Sequence, residues 1–210
     1  MRVHHLGHHA AYTDKLNAAL TTLRAKGGHE KELAKLGIDT LLARLDEISD
    51  PALRQAIRNN GGGYTNHDLY WKSLAPIVNK TLDDGTLVEE VRQPVKGSNI
   101  LLAIERDFGS FDQFQRTFNE MANSVFGSGW VFLYVDGNSK TLKLMSTPNQ
   151  DNPAMIEKNV HHVLLLALDL WEHSYYINFQ NKRADFIQQW WRIVNWNGVD
   201  QSYAARLTNQ

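Results

Sequence analysis

The chain has 210 residues, 42% of them hydrophobic and 21% charged, which is typical of a globular protein with one large domain or two small ones. A formal net charge of −1 gives no reason to expect nucleic acid or an anionic membrane as a partner, and no apolar run approaches the ~20 residues of a membrane span. Because cysteine is absent, thiolate metal sites, iron–sulfur clusters and disulfides are excluded.

The first part of the chain has the pattern of a helical hairpin. Residues 3–26 predict one long helix that ends at Gly27. Residues 31–58 keep a helical spacing of leucine and isoleucine, with a break near Pro51, and predict the antiparallel return. The sequence therefore indicates an N-terminal domain made of helices.

Polar side chains lie in the apolar register of this hairpin. His4, His8 and Tyr12 are four residues apart and share one face of the first predicted helix, so they point toward a core. The triple glycine at 61–63 predicts a tight turn, and His67 would lie just inside the element that follows it. His5 and His9 share a neighbouring face and are interpreted as surface or helix-packing residues.

The predicted hairpin is followed by a connection between two domains. Residues 76–98 contain several prolines and glycines and predict a connection with one short helical piece. We therefore expect an N-terminal domain at 1–80, a linker at 81–98 and a C-terminal domain at 99–210.

In the C-terminal part, the spacing of apolar residues changes from the helical period of about 3.6 to the strand period of 2, and then returns to the helical period. Ser110 and Gln113 form a predicted capping box at the start of the second helix. Helices, then short antiparallel strands flanked by helices, indicate an α+β fold: a helical hairpin domain plus a domain with a three-stranded antiparallel sheet. The predicted elements are helices at 100–108 and 110–125, strands at 131–135, from 142 and at 163–168, and two last helices at 186–194 and 203–207.

Asp169 ends the longest apolar run of the chain, 163–168, and His173 follows four residues later. A carboxylate in such a place is rarely left unless it is paired or binds a metal. With His4 and His67, these residues form a nitrogen and oxygen set that suits iron, manganese or zinc. Two alternatives remain at this point: each histidine could be an ordinary core residue, and a zinc ion bound by three histidines would indicate hydrolysis.

Residues 169–176 have the sequence DLWEHSYY, which resembles the D-x-W-E-H-A-Y-Y signature of the iron/manganese superoxide dismutase family. The resemblance covers nearly the whole chain. Further matches to the family occur in the expected order at 4–12, 61–71, 108–111, 127–130, 148–151 and 195–196.

The resemblance implies a redox enzyme that binds one metal ion per chain and converts superoxide to dioxygen and hydrogen peroxide. The implied metal ligands are His4, His67, Asp169 and His173. Glutamine at Gln150 together with glycine at Gly63 accompanies manganese in this family, whereas iron members tend to carry the glutamine where Gly63 stands. Manganese is therefore the expected ion, with iron as the alternative.

The resemblance also assigns roles around the ion. Gln150 and Tyr12 would form hydrogen bonds beside the metal, and His8 and Tyr12 would line the substrate channel. Glu172 would reach the partner's His173, and Tyr176 would reach the partner's His8, which implies a homodimer, with a tetramer as the larger alternative. The aromatic walls of the pocket would be Trp71, Trp130 and Trp171.

Two other functions are compatible with these residues: a metallohydrolase with the same ligands, and a non-catalytic homologue that reuses the fold. The presence of all four ligands together with Gln150, Tyr12 and His8 argues against the second. Family members carry a further segment ahead of the first ligand, so the sequence leaves the compartment open between the mitochondrial matrix and the cytoplasm.

Overall fold

The computed structural model describes residues 1–77, 79–81, 83, 86–89, 92–158 and 160–208. Among these residues, no helix combines the length and the apolar character that a bilayer crossing requires.

The N-terminal part is built on two long helices. A π-helical turn, His4–His9, continues directly into α1 (Ala10–Ala25), and α4 (Pro51–Lys72) packs against it. Asp50 caps α4, because its side chain accepts hydrogen bonds from the first free backbone N–H groups of that helix. Between the long helices lie α2 (Gly28–Leu33), α3 (Ile38–Ala43) and a 3₁₀ turn (Leu45–Glu47).

The predicted first helix is confirmed as one continuous helical stretch, whose first turn is π and whose remainder is α. Two other details of the predicted hairpin were wrong. The return over 31–58 is divided into short helices, and α4 is the true return helix. The triple glycine at 61–63 is not a turn but lies inside α4, where its lack of side chains permits close packing.

The connection 76–98 also differs from expectation. In place of the predicted helical piece, its described residues contain two short antiparallel strands, β1 (Asn79–Thr81) and β2 (Leu87–Glu89). Val78, Leu82, Asp84, Gly85, Glu90 and Val91 lie outside the described residues. The domain bounds at 1–80, 81–98 and 99–210 stay a prediction.

The C-terminal part begins with two helices, α5 (Asn99–Phe108) and α6 (Phe111–Ser124). Ser110 caps α6 by accepting a hydrogen bond from the Gln113 N–H at 3.1 Å, as the predicted capping box requires. The elements that follow are β3 (Gly129–Val135), β4 (Leu142–Pro148), α7 (Pro153–Ile156), β5 (Val163–Asp169), α8 (Glu172–Phe179), α9 (Arg183–Trp190), a 3₁₀ turn (Trp191–Ile193) and α10 (Trp196–Thr208).

The sheet has the antiparallel order β4-β3-β5, which confirms the predicted three strands. Its central strand β3 is buried along its whole length. In this register Trp130 lies opposite Asp169 on one side and Thr147 on the other. The start of β3 and the ends of its two neighbours therefore meet at one edge of the sheet.

Helix α4 joins the two hydrophobic cores of the molecule. Ile57 belongs to a core built from the N-terminal helices, whereas Tyr70, farther along α4, belongs to the core around the sheet. The predicted α+β class, with a helical hairpin domain and a three-stranded antiparallel sheet flanked by helices, is confirmed.

Candidate metal centre

Four side chains that lie far apart in the sequence converge on one point. His4 comes from the π turn, His67 from α4, Asp169 from the last residue of β5, and His173 from the first turn of α8. One nitrogen or oxygen atom of each lies within 4.8 Å of the corresponding atoms of the others. The structure thus brings together the four predicted ligands.

Asp169 Oδ2 is the common point of this cluster. It lies 3.1 Å from His4 Nε2, 3.1 Å from His173 Nε2 and 3.6 Å from His67 Nε2. Asp169 and His67 are fully buried, His4 is nearly so, and the His173 side chain is 13% exposed. His173 is therefore the edge of the cluster that is nearest to solvent.

The tautomer and the protonation state of His67 suit a metal ligand. Its Nδ1–H donates to the backbone carbonyl of Gly63 at 2.7 Å, which leaves the lone pair on Nε2. That Nε2 is buried and has no hydrogen-bond partner within the described part of the chain. Burial lowers the pKa of His67 to about 4, so the ring is neutral at neutral pH. A buried, unpaired lone pair beside a carboxylate fits a bound cation.

Asp169 supplies the negative charge. Burial alone would raise the pKa of its carboxyl, but the facing His173 and His4 outweigh burial and lower the pKa to about 2. Its other oxygen, Oδ1, accepts the Trp171 backbone N–H at 2.9 Å, which fixes the orientation of the carboxylate. One carboxylate and three imidazoles fit a transition-metal ion that prefers nitrogen and oxygen ligands.

Aromatic rings enclose the cluster. Each of the three predicted tryptophans lies against the imidazole of a different ligand, so the walls shield the site from water and lower its effective dielectric. The ring-centroid distances are 4.8 Å for Trp71 and His4, 5.1 Å for Trp130 and His67, and 5.7 Å for Trp171 and His173.

A short chain of hydrogen bonds runs along one side of the site. Trp130 Nε1–H donates to Gln150 Oε1 at 3.1 Å, and Gln150 Nε2–H donates to the Tyr12 hydroxyl oxygen at 3.1 Å. Burial is the main cause that raises the pKa of Tyr12; the Asp169 charge adds to the rise, and the Gln150 contact opposes it. Tyr12 therefore keeps its proton at neutral pH, with its ring 5.3 Å from that of His67.

His8 occupies a different side. It is exposed, and its ring stacks on His173 at a centroid distance of 4.3 Å. Its pKa is lowered by partial burial and by the neighbouring His173 and His4. His8 thus stands where the most exposed ligand meets solvent, the position that a channel residue would take.

The outer face of α8 carries the two residues assigned to an interface. Glu172 is exposed and Tyr176 is 52% exposed. A cavity of about 390 Å³ opens beside Glu172. Its lining includes Gly127, Ser128, Trp171, Glu172 and His173.

The prediction of His9 as a surface or helix-packing residue did not include its hydrogen bond to a tryptophan. The Trp71 Nε1–H donates to His9 Nδ1 at 3.1 Å, and the His9 ring stacks on His67 at 5.7 Å. A five-residue spacing from His4 would place His9 on another face of an α-helix. In the wider π turn the two residues share a side, so this contact could not be found without knowing that the turn exists.

A single-ion centre of three histidines and one aspartate, formed between a helical hairpin and a sheet domain, defines a class of metalloenzymes. The comparison with known families is more specific. Residues 1–75 match the model for the alpha-hairpin domain of iron/manganese superoxide dismutases, and residues 96–202 match the model for their C-terminal domain. The chain belongs to the iron/manganese superoxide dismutase family.

Individual relatives agree with this assignment. A superoxide dismutase (Mn) 1 of Leptolyngbya boryana is 40% identical over 204 residues, which are 97% of this chain and 72% of the relative. A superoxide dismutase (Mn) of Acinetobacter baylyi is 40% identical over 203 residues, 97% of this chain and 78% of the relative. One from Escherichia coli O157:H7 is 39% identical over 209 residues, 98% and 88% of the two chains.

The predicted family and the predicted enzyme class, an oxidoreductase acting on superoxide, are confirmed. The metallohydrolase and the non-catalytic homologue are not favoured. The roles of the individual site residues stay predictions, and the proposal below is built on their geometry.

Proposed function

We propose that this chain converts superoxide to dioxygen and hydrogen peroxide at one manganese ion held by His4, His67, Asp169 and His173. The observation that carries the proposal is the buried, ionised Asp169 facing three imidazole nitrogens. Manganese is preferred to iron because Gln150 is combined with Gly63 and because the similar relatives are named for manganese.

A bound manganese ion would supply the redox chemistry, since it alternates between divalent and trivalent states while one superoxide loses an electron and a second gains one. The protein side of the reaction is electrostatic. The Asp169 carboxylate would offset one positive charge of a bound ion, whereas the neutral His67 would offset none. An incoming superoxide anion would therefore be attracted to the site.

Peroxide formation consumes protons, and the chain holds one next to the site. Tyr12 keeps its phenolic proton at neutral pH because its pKa is raised. Gln150 donates to the phenol oxygen, so the Tyr12 O–H remains free to point elsewhere. We assign Tyr12 as the proton-holding residue, Gln150 as its partner, and His8 as the residue at the entrance. The tryptophans Trp71, Trp130 and Trp171 would exclude bulk water.

We also propose a homodimer formed by the face that carries Glu172 and Tyr176. Glu172 is exposed immediately before the ligand His173, which would allow it to reach the partner's His173, and Tyr176 would reach the partner's His8. Each site would then depend on the other subunit. A tetramer is the larger alternative, and the compartment, the mitochondrial matrix or the cytoplasm, remains a prediction.

Metal analysis together with an activity assay tests the proposal. Purified, dialysed protein should contain close to one manganese ion per chain and should dismutate superoxide. His173→Ala should lose both metal and activity, whereas His161→Ala, an exposed histidine outside the cluster, should keep both. Full activity in His173→Ala would refute the site, and stoichiometric zinc without dismutase activity would favour hydrolysis.

A further inference from the structure

The short segment 149–152, directly after β4, carries Gln150 to the metal centre. Asn149 adopts a left-handed backbone conformation with φ of 53°, an uncommon state for a residue other than glycine. This turn alone does not fix the side chain of Gln150. The contacts that hold the segment come largely from α4, the helix that also carries the ligand His67.

The backbone carbonyl of Gln150 is held from two sides. The fully buried Asn66 donates from Nδ2 to this oxygen at 3.0 Å. Gly62 lies so close that an added Cβ would stand 2.0 Å from the same oxygen. Asn66 is itself fixed, since its Oδ1 accepts a hydrogen bond from Asn152 Nδ2 at 3.2 Å. The position of Gln150 is therefore set by direct contact with α4.

A second contact holds the residue that follows Gln150. Arg58 donates two parallel hydrogen bonds to the carboxylate of Asp151, from Nε to Oδ1 at 2.7 Å and from Nη2 to Oδ2 at 2.5 Å. The Asp151 side chain is 9% exposed. A two-pronged contact between guanidinium and carboxylate fixes direction as well as distance.

Arg58, Gly62 and Asn66 are four residues apart, so they form one stripe along α4. We propose that this stripe, here named the α4 clamp, is a positioning device that sets the place of Gln150 relative to the metal ligands and thereby tunes the reduction potential of the bound ion. The inference rests on the proposed dismutase function. Because Asn66 is adjacent to His67, one rigid helix locates both the ligand and Gln150.

The placement matters because Gln150 makes two side-chain hydrogen bonds at once. Both its contact with Trp130 and its contact with Tyr12 measure 3.1 Å, near the long end of the normal range. A displacement of a few tenths of an ångström would weaken one of them. Groups that are hydrogen-bonded around a metal site control its potential and proton affinity, so the clamp acts through Gln150 and not by touching the ion.

Arg58 is the residue to test, because it is partly exposed and its loss leaves the buried Asn66 in place. The reduction potential of manganese-loaded protein is measured by redox titration, with turnover and thermal unfolding alongside. Arg58→Met should shift the potential and lower turnover by about tenfold. Arg58→Lys keeps the positive charge but cannot form both parallel hydrogen bonds to Asp151. It should therefore shift the reduction potential less than Arg58→Met does.

The matched control is Arg54→Met, one turn earlier on α4. Arg54 donates two hydrogen bonds to the backbone carbonyl of Ile48, and among the described residues no hydrogen bond or ion pair joins it to 149–152. Its loss should lower the unfolding temperature and leave the potential unchanged. A shift of equal size in Arg54→Met and Arg58→Met would mean that the clamp is only structural, and would overturn the proposal.

A double-variant cycle identifies the path. If Arg58 acts through Gln150, then Arg58→Met should shift the potential in the native background and should add nothing in a Gln150→Ala background. An unchanged potential in the first background, or an equal shift in both, refutes the clamp. Failure of the native chain to bind manganese or to dismutate superoxide would instead refute the proposed function, and the two failures are thus distinguishable.

Discussion

At the scale of single residues, the hydrogen bond of Trp71 is the contact least visible in the sequence. An indole N–H can only donate, and a buried donor that lacks an acceptor costs about 1–3 kcal/mol. Here the acceptor is Nδ1 of His9, whose ring also stacks on His67. His9 therefore supports a wall of the metal centre and one of its ligands without itself binding the ion.

His9→Leu should destabilise the protein by about 1–3 kcal/mol, because the Trp71 N–H loses its acceptor. The free energy of unfolding can be measured in urea on the metal-loaded protein. The control is His5→Leu, since His5 is exposed and contacts the Trp71 ring at 5.3 Å without that hydrogen bond. Equal losses in the two variants would show that ring contact, and not the hydrogen bond, accounts for the effect.

The four candidate ligands lie together as the sequence predicts, and their role as ligands stays a prediction, whereas the hydrogen bond of His9 could not be predicted. Asp169 follows a long apolar run, and His173 is one helical turn away, so a local pattern marks both. Gln150 and Tyr12 were found through the family resemblance, and the structure joins them by one hydrogen bond. The contacts of His9 depend on a π turn, and no simple period in the sequence predicts such a turn.

At the scale of elements, the close packing of α4 is the reason that a turn was wrongly predicted at the triple glycine. Gly61, Gly62 and Gly63 are helical, and each allows a neighbour to approach. An added Cβ at Gly63 would meet the Tyr12 ring at 2.5 Å, and one at Gly62 would meet the Gln150 backbone. Sequence alone cannot tell a glycine required by packing from one required by a turn, because both depend on contacts with distant parts of the chain.

Gly62→Ala and Gly61→Ala should differ in their effect on stability, and only Gly62→Ala should destabilise the protein. Alanine favours a helix by about 1 kcal/mol over glycine, so this gain is common to both. At Gly61 the new Cβ meets the ends of the Leu42 and Ile38 side chains, at 2.9 and 3.2 Å, which can move. At Gly62 it meets the Gln150 carbonyl at 2.0 Å, and the backbone must shift.

We therefore expect Gly61→Ala to be close to neutral, and Gly62→Ala to lose about 1–3 kcal/mol, the usual cost of overpacking. Chemical denaturation of both variants against the native protein measures the difference. A neutral Gly62→Ala would show that the segment 149–152 can move away from α4. It would also weaken the case for the α4 clamp.

Regular elements were predicted better than connections. The capped helix α6 follows its helical period, and β3 forms where a strand is predicted, although its burial is continuous and shows no period of 2. Residues 31–50 keep a helical spacing of leucines, but this spacing does not show where the chain divides into the short helices α2 and α3, which pack against the long helices. The strands β1 and β2 depend on pairing with each other, which a helical interpretation of the same residues could not reveal.

At the scale of the whole molecule, the metal centre joins parts that have separate cores. His4 and His67 come from the N-terminal helices, and Asp169 and His173 come from the sheet domain. A bound ion therefore links the two parts directly. The side of the site toward solvent, where His173 is partly exposed, is where a partner subunit would complete it.

The face around this opening carries apolar side chains that a monomer would leave in water. Phe126 is fully exposed and Ile177 is 89% exposed. Phe126 directly precedes Gly127, which lines the cavity next to Glu172, and Ile177 directly follows Tyr176 on α8. Large apolar groups grouped near a functional site typically mark an association surface. Their burial between two subunits would contribute about 25 cal/mol per Å² of apolar area removed from water.

Ile177→Asp should convert the proposed dimer to monomer, because two carboxylates would be placed in the apolar contact. Sedimentation velocity over a range of protein concentrations, with metal analysis of the same samples, measures both effects. Metal occupancy should fall together with the dimer, since Glu172 would no longer reach the partner's His173. The control is Ile156→Asp, an isoleucine that is 49% exposed on α7, a helix that packs against α3. A dimer that persists in Ile177→Asp would place the subunit contact elsewhere, and a monomeric native protein that keeps its full metal content would show that each site is complete without a partner.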